Sequence, residues 1–274
     1  MFGGEVSKSL SPAMHNEAFR HLGLPFCYEA ISISPEDFLT RFEEAKHGGY
    51  LGLNITIPFK EKVVPLLDEL SPRAEKLEAV NTVLFKEYRS HGENTDVDGS
   101  LEAMVQTGYA FDSKKSAFIF GAGGAARATI EALALLGIKQ FVVSSRTLKR
   151  LHELLTWFAK HYSLDYNLEV VGSDEKTWKE QLEAPEIFVN AAPLEACQIL
   201  PFLPEIKFRK KVLVVDWIYW PKTTPWLVKG EQAKGTLVKG YKILLYQGMK
   251  SFYRWTGLEA PEEVMEKALL KELE

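Results

Sequence analysis

The chain has 274 residues, of which 46% are hydrophobic and 26% are charged, and its formal net charge is −4. This length suits two domains, and the composition is that of a globular protein able to bury substantial cores. A slightly acidic chain without a basic block argues against nucleic acid or anionic membranes as main partners. No apolar run reaches the roughly 18 residues that a membrane span needs.

Cysteine usage and the first residues bear on the cellular compartment. Cys27 and Cys197 are the only cysteines, they are far apart, and neither belongs to a zinc-type spacing. We therefore expect two reduced thiols and no metal site. No charged segment followed by an apolar stretch opens the chain, so no secretory signal is visible, and we expect a cytoplasmic protein.

Strand and helix patterns alternate in the first hundred residues. A helix is expected from Ser11, with Ser11 as its cap and Pro12 as its first residue, to Gly23. The later elements follow in chain order: a strand at 26–33, a helix from Ser34 to Gly48, a strand at 50–57, a helix after Pro58, a strand at 82–85, a polar loop at 92–99 and a helix after it.

The alternation is more regular from Ser116 onward. Strands are predicted at 116–120, 140–144, 168–171, 186–190 and 212–216, and helices at 124–136, 147–161 and 174–183. Strands that alternate with helices indicate parallel βαβ units, so the fold class is α/β. Residues 243–274 predict two helices separated by Gly257 and Pro261. The best domain boundary lies near residue 98.

A glycine-rich turn follows the strand at 116–120. Its spacing is G-x-G-x-x-A at a strand-to-helix junction, and its central residues are Gly121, Ala122, Gly123, Gly124 and Ala125. Small residues let the backbone approach a pyrophosphate, and the helix N-terminus supplies amide donors. The pattern indicates a dinucleotide site, although a tight turn without a ligand would have the same residues.

The end of the next strand bears on which dinucleotide is bound. NAD-binding folds place an acid about 20 residues past the glycines to hold the ribose 2′-hydroxyl. Here the strand ends in Ser145, Arg146 and Thr147, with Lys149 and Arg150 close behind and no acid. Arg146 can hold a 2′-phosphate with two hydrogen bonds, which favours NADP over NAD. The alternative is a solvated basic helix start.

Polar residues are concentrated on three loops before residue 100. The segments are Ser9–Asn16, Asn54–Glu61, and Ala79–Thr82 followed by Asn94–Asp96. Hydroxyls, amides, one lysine and one carboxylate suit a small polyhydroxylated ligand. Taken singly, Ser11 is better explained as a helix cap than as a ligand contact, and Lys60 as a solvated lysine at a helix start.

Taken together, these segments resemble the shikimate dehydrogenase family. The family patterns S-x-S-P-x-x-H-N, N-[VI]-T-x-P-x-K-E, A-V-N-T and G-x-N-T-D-x-x-G match from Ser9, Asn54, Ala79 and Gly92. The turn G-A-G-G-A and the later R-T match as well. D-x-x-Y-x-P-x-x-T-P is present from Asp216, and Gln247 precedes F-x-x-W-T-G at Phe252. The resemblance therefore covers the whole chain, in order.

The resemblance implies a two-domain organisation and an activity. A substrate-binding and catalytic α/β domain at 1–98 would be completed by C-terminal helices at 243–274, and a Rossmann-type NADP domain would occupy 99–242. The implied reaction is the reversible, NADPH-dependent reduction of 3-dehydroshikimate to shikimate in chorismate and aromatic amino-acid biosynthesis. The expected partner is this small substrate, without nucleic acid or membrane, and the expected assembly is a monomer or homodimer.

The resemblance also implies roles for individual residues. Lys60 and Asp96 would form the catalytic pair, and Ser9 and Ser11 would bind the shikimate carboxylate. The ring hydroxyls would be held by Thr56, Asn81, Asp96 and Gln247, with Tyr219 beside the substrate. NADP would be bound by the glycine turn 121–125, Ser145, Arg146, Thr147, Lys149 and Arg150, with Gly240 near the nicotinamide.

The residue types of the implied pair fit the chemistry. Hydride addition to a ketone creates an alkoxide, which needs a proton and a nearby positive charge. A lysine ammonium supplies both, and an adjacent carboxylate directs the hydroxyl and favours the charged ammonium. No metal is needed.

The chain departs from the family pattern in several places. The usual N-A-T-P-x-G-M is Asn190–Ala196 here, Lys242 replaces a small residue, and Ser145 replaces an asparagine. Glu5 and Lys8 replace the usual Pro and His of the first loop. Because the chain begins almost at that loop, either Met1 is an unusual start or the chain is a segment of a longer protein, such as a fusion with dehydroquinate dehydratase. Quinate oxidation, and ligand binding without turnover, remain alternatives.

Overall fold

The computed structural model describes residues 1–194 and 205–274. The chain divides into two compact units, one formed by Met1–Gly99 with Leu244–Glu274 and the other by Ser100–Ile243. Among the helices that the structure describes, none combines the length and apolar composition needed to cross a membrane.

The helices and strands are numbered in chain order. The strands are β1 Phe2–Gly3, β2 Ile31–Ser32, β3 Gly52–Asn54, β4 Glu69–Leu70, β5 Thr82–Lys86, β6 Arg89–Glu93, β7 Ser116–Phe120, β8 Gln140–Ser144, β9 Asn167–Val171, β10 Ile187–Asn190, β11 Leu213–Asp216 and β12 Thr236–Val238. The helices are α1 Ser11–His21, α2 Phe38–His47, α3 Pro72–Leu77, α4 Asp96–Val105, α5 Gly124–Leu135, α6 Leu148–His161, α7 Glu175–Leu182, α8 Pro225–Gln232, α9 Gly240–Thr256 and α10 Glu262–Glu272.

The first unit contains two small sheets. One has the strand order β3-β5-β6-β4, in which β3 and β6 run antiparallel to β5, and the other pairs β1 with β2 in parallel. A bridge from Phe2 to Ile55 connects β1 to the residues after β3. Phe42, Leu53 and Phe59 lie in the apolar core of this unit, and α10 packs against α1. The two chain segments of the unit therefore share one folded body.

The second unit is a six-stranded parallel sheet with the order β12-β11-β10-β7-β8-β9. Counted within the unit, this is the 3-2-1-4-5-6 order of the doubly wound dinucleotide-binding fold. Strands of such sheets are covered on both faces, which is why β7, β10 and β11 read as continuous apolar runs. Trp178 and Trp226 are fully buried in the core beside these strands. The predicted α/β class with a Rossmann-type sheet is confirmed.

Several predicted elements are confirmed, most of them in the second unit. β7 and β8 have the predicted bounds, and β9, β10 and β11 begin one residue from theirs. The helix at 124–136 ends one residue early, and Gly257 and Pro261 separate the last two helices as expected. The sequence pattern does not predict α3, β6, α8 or β12.

The predicted helix after Pro58 is wrong. Residues 59–63 form turns, and only Val64–Leu66 makes a short 3-10 helix. Pro65 has no backbone N–H to donate, and its ring would clash with the preceding turn of an α-helix. The apolar spacing of Val63, Leu66 and Leu67 therefore serves a looped segment packed on the unit's core, not a helical face.

The predicted strand at 26–33 is reduced to Ile31–Ser32. The side chain of Asn16 explains part of this difference, because its Nδ2 donates to Tyr28 O (2.9 Å) and its Oδ1 accepts from Tyr28 N (2.7 Å). These two bonds take the place of a strand neighbour at Tyr28. The loop expected at 92–99 is also wrong, since β6 continues to Glu93 and α4 begins at Asp96.

Two predicted helix starts are displaced. Ser11 is the first residue of α1, whose N-cap is Leu10, so the predicted capping role of Ser11 is wrong. The second helix begins at Phe38 because a turn precedes it, in which Asp37 N donates to both the carbonyl and the hydroxyl of Ser34. The presence of a serine at residue 11 therefore needs another explanation.

Candidate active site

Lys60 and Asp96 form a direct ion pair in the first unit. Lys60 Nζ donates to Asp96 Oδ2 at 2.6 Å, and Asp96 is only 4% exposed. The backbone of Lys60 is fixed because Val80 N donates to its carbonyl at 2.9 Å. Asp96 opens α4, and its N–H donates to Asn94 Oδ1 at 3.1 Å. A buried carboxylate and a lysine are thus placed as one unit.

Asn81 fixes the other oxygen of Asp96. Its Nδ2 donates to Asp96 Oδ1 at 2.9 Å and lies 3.3 Å from Gln247 Oε1. Its Oδ1 accepts from Thr95 N at 2.8 Å. Because each carboxylate oxygen has its own donor, the plane of the Asp96 carboxyl group is set on both sides. The structure therefore brings Lys60, Asn81, Asp96 and Gln247 together.

The remaining predicted substrate residues of this unit, Ser9, Ser11 and Thr56, lie on turns of the backbone. Ser11 N donates to Ser9 Oγ at 3.3 Å, so the two serines form one short turn before α1. Thr56 N donates to Phe2 O (2.9 Å), and Thr56 O accepts from Phe59 N (2.8 Å) in the turn that leads to Lys60. The Ser9 hydroxyl thus shapes its own turn, whereas the hydrogen bonds given for Ser11 and Thr56 are made by their backbones and do not require a hydroxyl group.

A buried amide–hydroxyl network lies next to the pair and was not assigned a role from the sequence. It consists of the side chains of Tyr28, Asn54, Thr82, Thr95 and Ser251. The three hydroxyls of Thr82, Thr95 and Ser251 lie 2.8–3.2 Å from one another, and all five residues are buried. Asn54, Thr82 and Thr95 lie inside the family motifs, and those motifs could have indicated a role for them. No motif in the sequence includes Tyr28 or Ser251.

The glycine turn of the second unit has the geometry of a close backbone crossing. Gly121 has φ +116°, and a Cβ at this residue would lie 2.7 Å from Ala191 O. Gly121 N donates to Ser144 O at 2.8 Å, which ties the turn to the end of β8. A Cβ at Gly123 would meet no protein atom within 4 Å, and α5 begins there without a side-chain cap. The open space and the uncapped helix start suit a bound phosphate.

Substitution of these two glycines is expected to separate folding from cofactor binding. Gly121→Ala should destabilise the protein by about 1–3 kcal/mol or more, because a left-handed backbone and a clash coincide there. Gly123→Ala should unfold at nearly the parent temperature but raise the KM for NADP, because its methyl group would occupy the open space. Thermal unfolding and steady-state kinetics check both. A Gly121→Ala protein as stable as the parent would contradict this interpretation of the turn.

The basic residues after β8 differ in their surroundings. Lys149 lies 4.0 Å and Arg150 lies 3.3 Å from carboxylate oxygens of Glu153, so both have an acidic neighbour on α6. Within the described part of the chain, Arg146 has no ion-pair partner, and its side chain is exposed. Thr147 N donates to Ser145 Oγ at 3.3 Å, which shapes the turn. Of the three cations, Arg146 is the one most available to an outside anion.

Gly240 and Tyr219 lie around the turn that follows β11. A Cβ at Gly240 would be 2.5 Å from Ile218 O, so only glycine fits there. Burial raises the pKa of the Tyr219 hydroxyl, which keeps it protonated. Asp216 anchors this turn by accepting from Asn190 Nδ2 (2.8 Å) and Ile218 N (3.0 Å), and burial raises the pKa of its carboxyl group.

The altered family loop is described only in part. Ala192 N donates to Asn190 Oδ1 at 3.2 Å, whereas Glu195, Ala196 and the predicted free thiol of Cys197 lie outside the described residues. Lys242 Nζ lies 5.9 Å from the centre of the Tyr241 ring. Among the residues that the structure describes, no group of three or more His, Cys, Asp or Glu side chains is placed to hold a metal ion.

The second unit places the protein in the dinucleotide-binding class of α/β proteins, since it joins a doubly wound parallel sheet to a glycine turn. Comparison with known proteins narrows the class. Residues 1–83 match the family model of the shikimate dehydrogenase substrate binding domain, and residues 240–270 match that of the shikimate 5′-dehydrogenase C-terminal domain. A shikimate dehydrogenase (NADP(+)) of Methanopyrus kandleri is 37% identical, over all of this chain and 94% of the relative. The chain belongs to the shikimate dehydrogenase family.

Solved structures agree with this family. Shikimate 5-dehydrogenase of Thermus thermophilus, in complex with NADP(H) and shikimate, is 34% identical and similar with a TM-score of 0.83, over 99% of this chain and 98% of that one. Quinate dehydrogenase of Corynebacterium glutamicum, in complex with NAD, is 28% identical with a TM-score of 0.86, over 98% and 97% of the two chains. The fold is therefore similar to enzymes with different substrates and cofactors.

Proposed function

We propose that this protein is an NADP-dependent shikimate dehydrogenase, which reversibly reduces 3-dehydroshikimate to shikimate in chorismate and aromatic amino-acid biosynthesis. The observation that carries the proposal is the Lys60–Asp96 pair, with the second carboxylate oxygen held by Asn81. The similarity to relatives named for this activity, and to a structure in complex with NADP(H) and shikimate, supports it.

The roles of the two catalytic residues follow from their chemistry. Bound NADPH supplies a hydride to the carbonyl carbon of the substrate. As the C=O double bond becomes a single bond, negative charge develops on the oxygen, and the Lys60 ammonium stabilises that charge and donates a proton to it. Asp96 accepts a hydrogen bond from the resulting hydroxyl and holds the ammonium in place. In the oxidation direction the proton of the substrate hydroxyl returns to Lys60 as the hydride leaves the ring carbon.

The other site residues have binding roles in this proposal. Ser9 and Ser11 hold the substrate carboxylate, and Thr56, Asn81 and Gln247 hold ring hydroxyls. Tyr219 lies beside the substrate, and its protonated hydroxyl can donate to it. Apart from Tyr219, which lies within residues 99–242, these residues define a substrate domain at 1–98 completed by helices at 243–274. A small-molecule substrate, a monomer or homodimer, and a cytoplasmic location complete the proposal.

The cofactor roles rest on the second unit. The open space at Gly123 and the uncapped start of α5 fit a pyrophosphate, and the exposed Arg146 fits a 2′-phosphate. Ser145 and Thr147 belong to that turn, Lys149 and Arg150 stand just after it at the start of α6, and we place Gly240 near the nicotinamide. We therefore assign residues 99–242 to NADP binding.

Rates with two substrates and two cofactors test the function. Oxidation of shikimate and of quinate is measured with NADP+ and with NAD+, and we expect the highest kcat/KM for shikimate with NADP+. A higher value for quinate with NAD+ would replace the proposal with quinate oxidation, which the similarity to a quinate dehydrogenase raises. No turnover with any combination, together with measurable ligand binding, would indicate a binding protein.

A further inference from the structure

The side-chain amide of Asn54 connects three segments of the first unit. Asn54 ends β3, and its Nδ2 lies 3.0 Å from Asn81 O, 3.0 Å from Thr82 Oγ1 and 3.1 Å from Ser251 Oγ. On the opposite side, Tyr28 OH donates to Asn54 Oδ1 at 2.7 Å. Acceptors on one side and a hydroxyl donor on the other fix the orientation of the amide, and Asn54 as a whole is 5% exposed.

Each of the three segments carries a proposed substrate ligand. Thr56 follows Asn54 by two residues, and the amide's contact with Asn81 O holds the backbone of a second ligand. The third contact reaches α9, where Ser251 Oγ in turn donates to Gln247 O at 3.1 Å. The amide therefore joins the chain segments of three proposed ring-hydroxyl ligands without being one of them.

Tyr28, whose hydroxyl group donates to the Asn54 amide, also contacts α1 through its ring. The Tyr28 ring stacks on His15, with ring centres 4.4 Å apart and planes within 6°. Burial lowers the pKa of His15 to about 3, so the imidazole is neutral near pH 7 and packs as an aromatic ring. Since α1 begins at Ser11, the same contacts continue toward the proposed carboxylate ligands.

We propose that Asn54 is a positioning residue, whose buried amide sets the spacing of the segments that bind the substrate ring. This inference rests on the proposed function, because the ligand roles come from it. A buried polar network constrains its members when every group is satisfied, and loss of one member leaves its partners without hydrogen bonds. The segments should then shift relative to one another while the second unit is unaffected.

The test compares Asn54→Ala and Tyr28→Phe with Ser71→Ala. Ser71 caps α3 by accepting from Ala74 N, so its loss destabilises the same unit away from the network. For Asn54→Ala we expect the shikimate KM to rise about tenfold, the effect of about 1.4 kcal/mol. The NADP KM should be unchanged and kcat should fall less. Tyr28→Phe keeps the ring stacked on His15 and should show a smaller change of the same kind.

A double variant tests whether Asn54 acts through a ligand. Asn54→Ala combined with Gln247→Ala should raise the shikimate KM by less than the product of the single effects, because the first change already displaces Gln247. Multiplicative effects with Gln247→Ala would overturn the positioning role.

Further results of these experiments would also decide whether Asn54 positions the substrate ligands. An equal rise of the NADP KM, or a rise of the shikimate KM in Ser71→Ala at a similar loss of melting temperature, would overturn the inference. If Asn54→Ala does not fold, Tyr28→Phe decides alone, and an unchanged shikimate KM in it counts against the role. Absent turnover in the parent contradicts the proposed function, and calorimetric shikimate binding by the same variants then decides the positioning role separately.

Discussion

Lys60→Ala is expected to lower kcat by about 10²–10⁴-fold, the usual contribution of general acid–base catalysis. The substitution removes both the proton donor and the positive charge that stabilises the alkoxide. The shikimate KM should change far less, because the residues proposed to bind the substrate carboxylate and ring hydroxyls remain. Steady-state kinetics in both directions measures these values, and circular dichroism confirms folding.

Lys62 offers a matched control for this prediction. It stands two residues later, is exposed, and has its Nζ 5.8 Å from the centre of the Phe59 ring. Lys62→Ala should therefore retain the parent kcat. If Lys60→Ala keeps kcat within a few-fold of the parent, the mechanism proposed above is wrong.

Asp96 should behave as part of the same unit. Asp96→Ala is expected to lower kcat and to weaken shikimate binding, because this carboxylate also contacts a ring hydroxyl in the proposal. In the Lys60→Ala and Asp96→Ala double variant, the loss of transition-state stabilisation should be smaller than the sum of the two single losses, since each single change already disables the pair.

Ser11→Ala should show the opposite balance, with a raised shikimate KM and most of kcat retained.

Arg146→Ala is expected to raise the KM for NADP by about 10–100-fold, since hydrogen bonds to charged groups contribute about 1.5–3 kcal/mol. NAD has no 2′-phosphate, so activity with NAD should be nearly unchanged. Kinetics with both cofactors measures the difference. Lys149→Ala gives a comparison with a second proposed NADP residue, whose Nζ lies 4.0 Å from a carboxylate oxygen of Glu153, and its effect should be smaller. Equal losses with both cofactors in Arg146→Ala would remove the 2′-phosphate assignment.

The two units differ in how far the sequence predicts their structure. Strands of a covered parallel sheet read as short apolar runs between amphipathic helices, so β7 to β11 could be located from the pattern alone. In the first unit, tertiary contacts override the local pattern. Asn16 binds the backbone of Tyr28 where a strand was expected, and Pro65 interrupts a helical spacing of apolar residues.

The site was predicted mainly through motifs. The spacing of Lys60 and Asp96 contains nothing that requires them to meet, and only the family resemblance implied the pair that the structure shows. Motifs do not reveal contacts between distant segments. Asn54 and Ser251 are 197 residues apart, and the amide–hydroxyl network between them depends on the fold.

The first unit is discontinuous, and this has a consequence for its folding during synthesis. Residues 100–243 form a contiguous unit that can fold as soon as they leave the ribosome, whereas Met1–Gly99 must wait for Leu244–Glu274. Until then Asn54 and Thr82 lack the Ser251 hydroxyl, and α1 lacks its packing against α10. Lys60 and Asp96 are thus synthesised early, whereas Gln247, which contacts their neighbour Asn81, is synthesised late. With the domain roles proposed above, the chain segment of the cofactor unit is complete before that of the substrate unit.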